Sequence, residues 1–371
     1  MLFEGTKKLS DAQKRLEAFI VNNLTDKMKF SFINSPTTND PGRHVPDDRW
    51  ALILAGGDGS RLLPLTRKIT GDERPKQFCP VIGSSTLLDV TRRRVAHNLS
   101  PKKTMFVLTK KHDRYYEEAL ADVPRNNLVV QPRNAGTAPA ILYSLLRLER
   151  VNPAASAAFF PSDHYFSDDE AFMSVVDSAF EAARSQADRI VLLGIEPEAP
   201  DEEYGWIEPD PVFSVGEVSR AWPVRRFWEK PSPALACELM DRGCLWNSFV
   251  MVGAVSAFLK MIRLALPELF ARLAAVRSDL CTRREEEAMR IVYTALPDNN
   301  FSTDVLARRA KDLSVIRVGA SKWSDLGSPH RVQSTLSVIG GSPLVEHDLI
   351  RSSALPEAIY EPSGVRGGQA V

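Results

Sequence analysis

From Trp50 onward the chain alternates between two apolar patterns. The first is a short unbroken run: WALILA (50–55), TMFVLT (104–109), NLVVQ (127–131), SAAFF (156–160), RIVLLGI (189–195), FVMVGA (249–254) and LSVIRV (313–318). Continuous runs of this length mark strands covered on both faces; a half-exposed strand would alternate apolar with polar. The second is helical spacing, near 86–98, 113–121, 138–150, 169–186, 233–242, 254–277 and 283–295. Strand–helix alternation predicts an α/β fold, a Rossmann-like, mostly parallel sheet flanked by helices. Such sheets take ligands at the carboxyl ends of their strands, so the chemistry is expected just after each run.

The ends follow other patterns. Residues 10–24 place Leu16, Phe19 and Ile20 on one helical face, with Ser10 or Asp11 as cap, and SPTTNDPGRHVPDD (35–48) is a turn-rich linker. The division expected is therefore an N-terminal extension over 1–49, a catalytic domain over 50–341 and a tail over 342–371. No internal repeat or heptad is visible.

Composition narrows the function. Lys plus Arg and Asp plus Glu are both 47, so the net charge is zero. That balance argues against nucleic acid or an anionic membrane as partner, since both are held by basic excess. No apolar run spans a bilayer and the N-terminus has no signal-peptide core, so a cytoplasmic location is expected. The four cysteines, Cys79, Cys237, Cys244 and Cys281, form no C-x-x-C pair; they read as reduced thiols, not zinc ligands. The oligomeric state is not legible, and a homo-oligomer stays open.

The richest chemistry follows the first strand, in LAGGDGSRLLPLT (54–66). Gly56, Gly57 and Gly59 permit a tight turn whose amides can face a phosphate chain. Arg61 adds a planar fork for phosphate oxygens, and Lys76, in RPKQF, adds a mobile charge. Alone, a glycine cluster is most simply a strand-to-helix turn; the basic residues tilt it toward phosphate binding. A Walker loop is excluded because no Lys-Ser or Lys-Thr follows. A dinucleotide fingerprint, hence a dehydrogenase, is disfavoured because its third glycine falls on Leu62.

GGDGSRLLPLT followed by RPKQF resembles the sugar-phosphate nucleotidyltransferases, the mannose-1-phosphate guanylyltransferases in particular. The resemblance continues in order through QPRNAGTAPAI (131–141), FFPSDH (159–164), EYGWIE (203–208), FWEKPS (227–232), WNSFVMV (246–252) and WSDLGS (323–328), about three quarters of the chain. It implies a nucleotide-diphospho-sugar transferase fold of GT-A-like type, with a nucleoside triphosphate and a sugar 1-phosphate as partners and Mg²⁺ as cofactor. GTP and mannose 1-phosphate are the expected pair.

Each segment also has a plainer structural reading. Gln131 has an amide able to pair with a base edge, and Gly136 and Thr137 offer close backbone approach and a hydroxyl; equally, Thr137 can cap the next helix. Asp163 ends a strand, where the resemblance makes it a Mg²⁺ ligand and the plain reading is a turn or cap. His164 beside it reads as structural. The resemblance sets Gly205, Glu229 and Asn247 around the sugar, Lys230 on the sugar phosphate, and Asp325 as the second metal carboxylate. Plainly read, Gly205 is a strand bulge, Glu229–Lys230 a surface ion pair and Asp325 a turn residue. Two departures stand out: Asn-Ala-Gly-Thr replaces Gly-Arg-Asn-Thr at 134–137, and Phe249 stands where the family has glycine.

The implied reaction is in-line displacement at the α-phosphorus by a sugar phosphate oxygen, with pyrophosphate leaving. The nucleophile is already an anion, so positioning and charge neutralisation by Arg61, Lys76, Asp163 and Lys230 carry the expected catalysis. Transfer with a different base or sugar, and a non-catalytic sensor of nucleotide sugars, are the competing expectations.

Overall fold

The computed structural model describes residues 48–210, 221–319 and 321–340. The helix expected at 10–24, nearly all of the linker and the tail lie outside them. The strands are β1 (Arg49–Leu54), β2 (Thr104–Thr109), β3 (Leu128–Gln131), β4 (Ser156–Pro161), β5 (Tyr165–Phe166), β6 (Ile190–Ile195), β7 (Gly205–Pro209), β8 (Trp222–Glu229), β9 (Leu245–Ala254), β10 (Leu313–Val318) and β11 (Trp323–Ser324). Nine of them make one sheet in the order β3-β2-β1-β4-β9-β6-β10-β8-β7, and a separate two-stranded ladder joins β5 to β11.

The expected parallel sheet holds for one arm. β3, β2, β1 and β4 run parallel, as do β6 and β10. β9 is antiparallel to both β4 and β6, so it is the seam between that arm and the rest. β8 is antiparallel to β10 and to β7, and β7 pairs back onto β9, curling this end into a small ring. The sheet is thus mixed, not mostly parallel. β7 and β8 escape the apolar-run pattern because β7 buries only Trp206, Ile207 and Glu208, and β8 exposes Arg225 and Arg226 between buried Val224 and Phe227.

Continuous apolar runs are explained by two cores, one on each face. Along β1, Trp50 and Leu52 face helices Thr137–Val151, Val255–Ala265 and Pro267–Ala274, while Ala51 and Ile53 face helices Leu87–Ala96 and Asp169–Ser185. The helix expected over 254–277 is two helices, broken where Pro267 removes an N–H donor. Two helices fall outside the expected set: Leu63–Thr70 and Pro329–Ile339. They meet in a small third core of Leu62, Leu65, Cys79, Val81, Leu87, Leu326, Val332 and Leu336. Cys79 is buried there, which pushes its thiol up to about 12 and keeps it protonated. That core fastens the glycine loop to the WSDLGS segment, 270 residues apart in sequence by the positions of Ala55 and Asp325.

No helix among the described residues is long and apolar enough to cross a membrane.

Candidate active site

A cavity of about 330 Å³ opens at the carboxyl ends of β1, β3 and β4. Its wall includes Gly56, Gly57, Gln131, Gly136, Thr137, Asp163 and Phe249. The close approach of the glycine loop is imposed by its neighbours. A Cβ on Gly56 would lie 2.9 Å from Thr109 Oγ1, and Gly59 has a left-handed φ of 59° with Lys76 N 3.2 Å from where a Cβ would sit. Gln77, buried, donates from Nε2 to the carbonyls of Ala55 (3.0 Å) and Gly57 (2.8 Å) and so fixes the loop. Gln77 lies in the quoted RPKQF motif; two loop carbonyls turned toward a single side-chain amide are the tertiary feature that gives it this role.

Gly136 has no alternative residue. Its φ is 87° and ψ 177°, and a Cβ there would meet Asn299 O at 2.3 Å. Asn299 is tied on both sides, its carbonyl accepting from Ala138 N (3.1 Å) and its N–H donating to Ala135 O (3.0 Å). Thr137 does not cap the helix; Gly136 is the cap residue, and Thr137 Oγ1 accepts from Phe301 N at 2.8 Å. Gln131 Nε2 donates to Leu108 O and its Oε1 accepts from Tyr293 Oη, both at 3.3 Å. One Nε2 hydrogen is left for a ligand.

The acidic and basic candidates gather around Lys76. Its Nζ lies 3.3 Å from Asp163 Oδ2 and donates to the carbonyls of Asp325 (2.7 Å) and Leu326 (3.2 Å). The β5–β11 ladder, with Ser324 opposite Tyr165, brings Asp163 and Asp325 together from 162 positions apart. Asp163 is not a helix cap: Asp168 caps helix Asp169–Ser185, accepting from Ala171 N. Its carboxylate therefore remains on the cavity wall.

Asp325 is differently engaged. Arg331 Nη1 is 3.2 Å from both of its oxygens, Gly327 N donates at 2.9 Å and Tyr204 Oη at 3.3 Å. Burial alone would raise its pKa, but proximity to His164 when that ring is protonated, the Arg331 and Lys76 charges and the Gly327 N–H hold it below the usual carboxylate range. His164 itself falls to about 4 through burial, outweighing the pull of Asp163 and Asp325, so it is neutral at pH 7. Its Nδ1 accepts from Trp323 Nε1 at 3.3 Å, a structural bond that fits the plain reading of this residue.

Arg61 is exposed and pairs with Glu203 at 3.2 Å. Glu203 also meets Arg331 at 3.1 Å, and Asp201 holds Arg331 at 2.7 Å. Arg331 is not visible as a site residue in the sequence. The signal is Ser328-Pro329: a cap followed by proline at the first helical position starts a helix and puts Arg331 in its first turn, beside the aspartate.

A second group converges on Gly205. Its register partner is Glu229, and a Cβ on Gly205 would lie 2.9 Å from Glu229 Oε2 and 3.4 Å from Asn247 Cβ. Burial raises the Glu229 pKa against the lowering effects of Lys230 and Ser302. Lys230 is exposed, with a left-handed φ of 46°. Asn247 Oδ1 accepts from Phe249 N at 3.1 Å, leaving its Nδ2. Phe249 adopts a φ of 60° in a bulge of β9, where the register jumps between Leu192 and Gly194. A glycine, as the family resemblance would place here, would hold that left-handed backbone without strain. Here the Phe249 ring lines the cavity and sits edge-on to Phe301, with centroids 6.4 Å apart.

The donor chemistry suits a hard cation at Asp163, whose oxygens face the cavity with only the Lys76 pair and a 3.9 Å approach of His164. Both Asp325 oxygens face the Arg331 guanidinium, whose charge opposes a cation there. Among the described residues no group of three or more His, Cys, Asp or Glu side chains is placed to hold a metal by itself. Mg²⁺ commonly binds through one or two carboxylates, with waters and substrate phosphates completing its shell.

Comparison with known proteins places the chain in a family. A mannose-1-phosphate guanylyltransferase of Escherichia coli K12 is 27% identical over 85% of this chain and 66% of its own length. The xanthan biosynthesis protein XanB of Xanthomonas campestris is 30% identical over 75% of this chain and 57% of its own. The chain thus spans under two thirds of each of these relatives. A solved structure of a mannose-1-phosphate geranyltransferase from Thermus thermophilus is 28% identical and superposes with a TM-score of 0.67 over 80% of each chain. The family model for nucleotidyl transferases matches residues 50–335, from the first residue of the first apolar run to the helix carrying Arg331, so this chain belongs to the nucleotidyl transferase family.

Proposed function

We propose that the chain transfers a nucleotidyl group from a nucleoside triphosphate, GTP first, to a sugar 1-phosphate, mannose 1-phosphate first, releasing pyrophosphate. The observation that carries this reading is the lysine that joins the Asp163 carboxylate, on the wall of a glycine-lined cavity, to the backbone of Asp325. A cationic cradle beside carboxylates suits two polyanions that must be brought together. The choice of mannose draws on the names of the relatives in E. coli and T. thermophilus, and that of guanine on the E. coli name.

Gly56, Gly57 and Gly59 provide backbone against the phosphates, and Arg61 and Lys76 neutralise their oxygens. Gln131, Gly136 and Thr137 border the nucleoside. Glu229 and Asn247 accept from and donate to sugar hydroxyls across Gly205, and Lys230 holds the sugar phosphate. An oxygen of that phosphate attacks the α-phosphorus as the bond to pyrophosphate breaks, so no general base is required. Asp163 and, once released, Asp325 would hold Mg²⁺, which would supply charge neutralisation at the phosphates.

A panel of nucleoside triphosphates against sugar 1-phosphates, read by pyrophosphate release, tests the assignment. Fastest release with GTP and mannose 1-phosphate is expected. Release with no pair, alongside tight binding of a nucleotide sugar, would replace transfer with sensing.

A further inference from the structure

Four carboxylates, Asp163, Asp201, Glu203 and Asp325, share this corner with three cations, Arg61, Lys76 and Arg331. The cluster is one negative charge in excess, which favours a cation. Yet the Asp325 carboxylate, the expected second metal ligand, is already engaged at both oxygens. Arg331 Nη1 lies 3.2 Å from each, and Gly327 N and Tyr204 Oη donate to Oδ1.

The arginine is placed so that letting go is easy. Its Nη2 already donates to Asp201 at 2.7 Å and sits 3.1 Å from Glu203. Its guanidinium carbon lies 4.1 Å over the Tyr204 ring. Released from Asp325, Arg331 keeps two carboxylates and an aromatic face, and so avoids the large penalty of a buried charge with no partner. Asp325 cannot be left in that way, because its only other charge partner at hand, Lys76, reaches its carbonyl and not its carboxylate.

We propose that Arg331 is a positioning residue that stands in for the divalent cation at Asp325, exchanging with it and passing to Asp201 and Glu203 when the cation arrives. The inference rests on the preceding reading for the presence of a cation, and adds that loading the metal is gated by this chain's own arginine. Affinity for the bare ion is then low, and the phosphate-bound ion, which brings negative charge for Arg61 and Lys76, enters more readily.

The test is Mn²⁺ alone, titrated into the full chain without nucleotide and followed by the paramagnetic resonance of free Mn²⁺. Arg331→Met is expected to tighten Mn²⁺ binding by roughly tenfold or more, since it removes a positive charge a few ångströms from the ion. The double variant R331M/D325N is expected to lose that gain. Unchanged or weaker binding in R331M, or a gain that survives in the double variant, overturns the proposal. Should R331M fail to fold by circular dichroism, Arg331→Gln takes its place: it also removes the positive charge while keeping a polar side chain, so a comparable gain is expected and no gain overturns the idea. Because no nucleotide is present, a parent inactive on the substrate panel would sink the transfer reading while the Mn²⁺ result judges this one separately.

Discussion

Gly136→Ala isolates the backbone geometry of the cavity wall. The φ of 87° and ψ of 177° fall in a region essentially reserved for glycine, and holding alanine there costs about 1–3 kcal/mol. The new methyl would sit 2.3 Å from Asn299 O and 2.9 Å from Asn299 C. These are backbone atoms, so no side chain can swing aside; the 299–301 segment must move. That movement loosens two backbone hydrogen bonds of Asn299 and the bond from Phe301 N to Thr137, each contributing roughly 0.5–1.5 kcal/mol. With partial relaxation, a loss of about 3 kcal/mol follows. For a domain of this size each kcal/mol lowers Tm by roughly 2–4 °C, giving a fall of about 6–12 °C by calorimetry. Since Gly136, Thr137 and Asn300 all line the cavity, KM for the nucleoside triphosphate should rise more than KM for the sugar phosphate. A variant melting within about 2 °C of the parent, with both KM values unchanged, would refute the claim that the Asn299 carbonyl dictates glycine here.

Three other substitutions probe separate parts of the site. Asp163→Asn should lower turnover more than about a hundredfold, as expected for losing a key electrostatic group, and near-normal rates in saturating Mg²⁺ would remove Asp163 from the metal. Lys230→Ala should raise KM for the sugar phosphate more than for the nucleotide; equal losses would count against its assignment. Phe249→Gly relieves a left-handed residue, worth about 1–2 kcal/mol, but surrenders the ring's contact with Phe301, so stability should change little while the cavity widens. Steady-state kinetics on mannose 1-phosphate and bulkier sugar phosphates checks this: an unaltered ranking would mean that the ring does not shape the subsite.

The apolar pattern locates strands wherever both faces are covered. β1, β2, β4, β6 and β10 lie within a residue of the expected runs because alternate side chains enter opposite cores. β7 and β8 carry no such run, since β7 buries only three residues, one of them Glu208, and β8 exposes Arg225 and Arg226 in its middle. Helix Leu63–Thr70 is hidden inside the glycine motif, where Pro64 at the first turn is a start signal. The single helix over 254–277 ignores Pro267. For the site, motifs name the residues but not their engagements. That Lys76 reaches Asp163 and a carbonyl of Asp325 depends on a two-residue ladder with no periodic trace. Arg331, six positions after Asp325, is no motif member; Ser328-Pro329 signals the helix that carries it, but its contact with the carboxylate is a product of the fold. Phe249 is conspicuous in the sequence as a departure; its positive φ supplies the reason.

The seam strand also sets a timetable for synthesis. β1, β2, β3 and β4 are complete once Pro161 has emerged, but β9, which covers the free side of β4, begins at Leu245. At roughly 5–20 residues per second, that gap of about 84 residues leaves a growing chain waiting several seconds. During it, Ala157–Phe160 forms an apolar, unpaired margin of the kind that recruits neighbouring polypeptides. Expression at lower temperature or with a holdase chaperone should therefore raise the soluble yield, and substitutions that slow the docking of β9 should aggregate before they measurably weaken the finished protein.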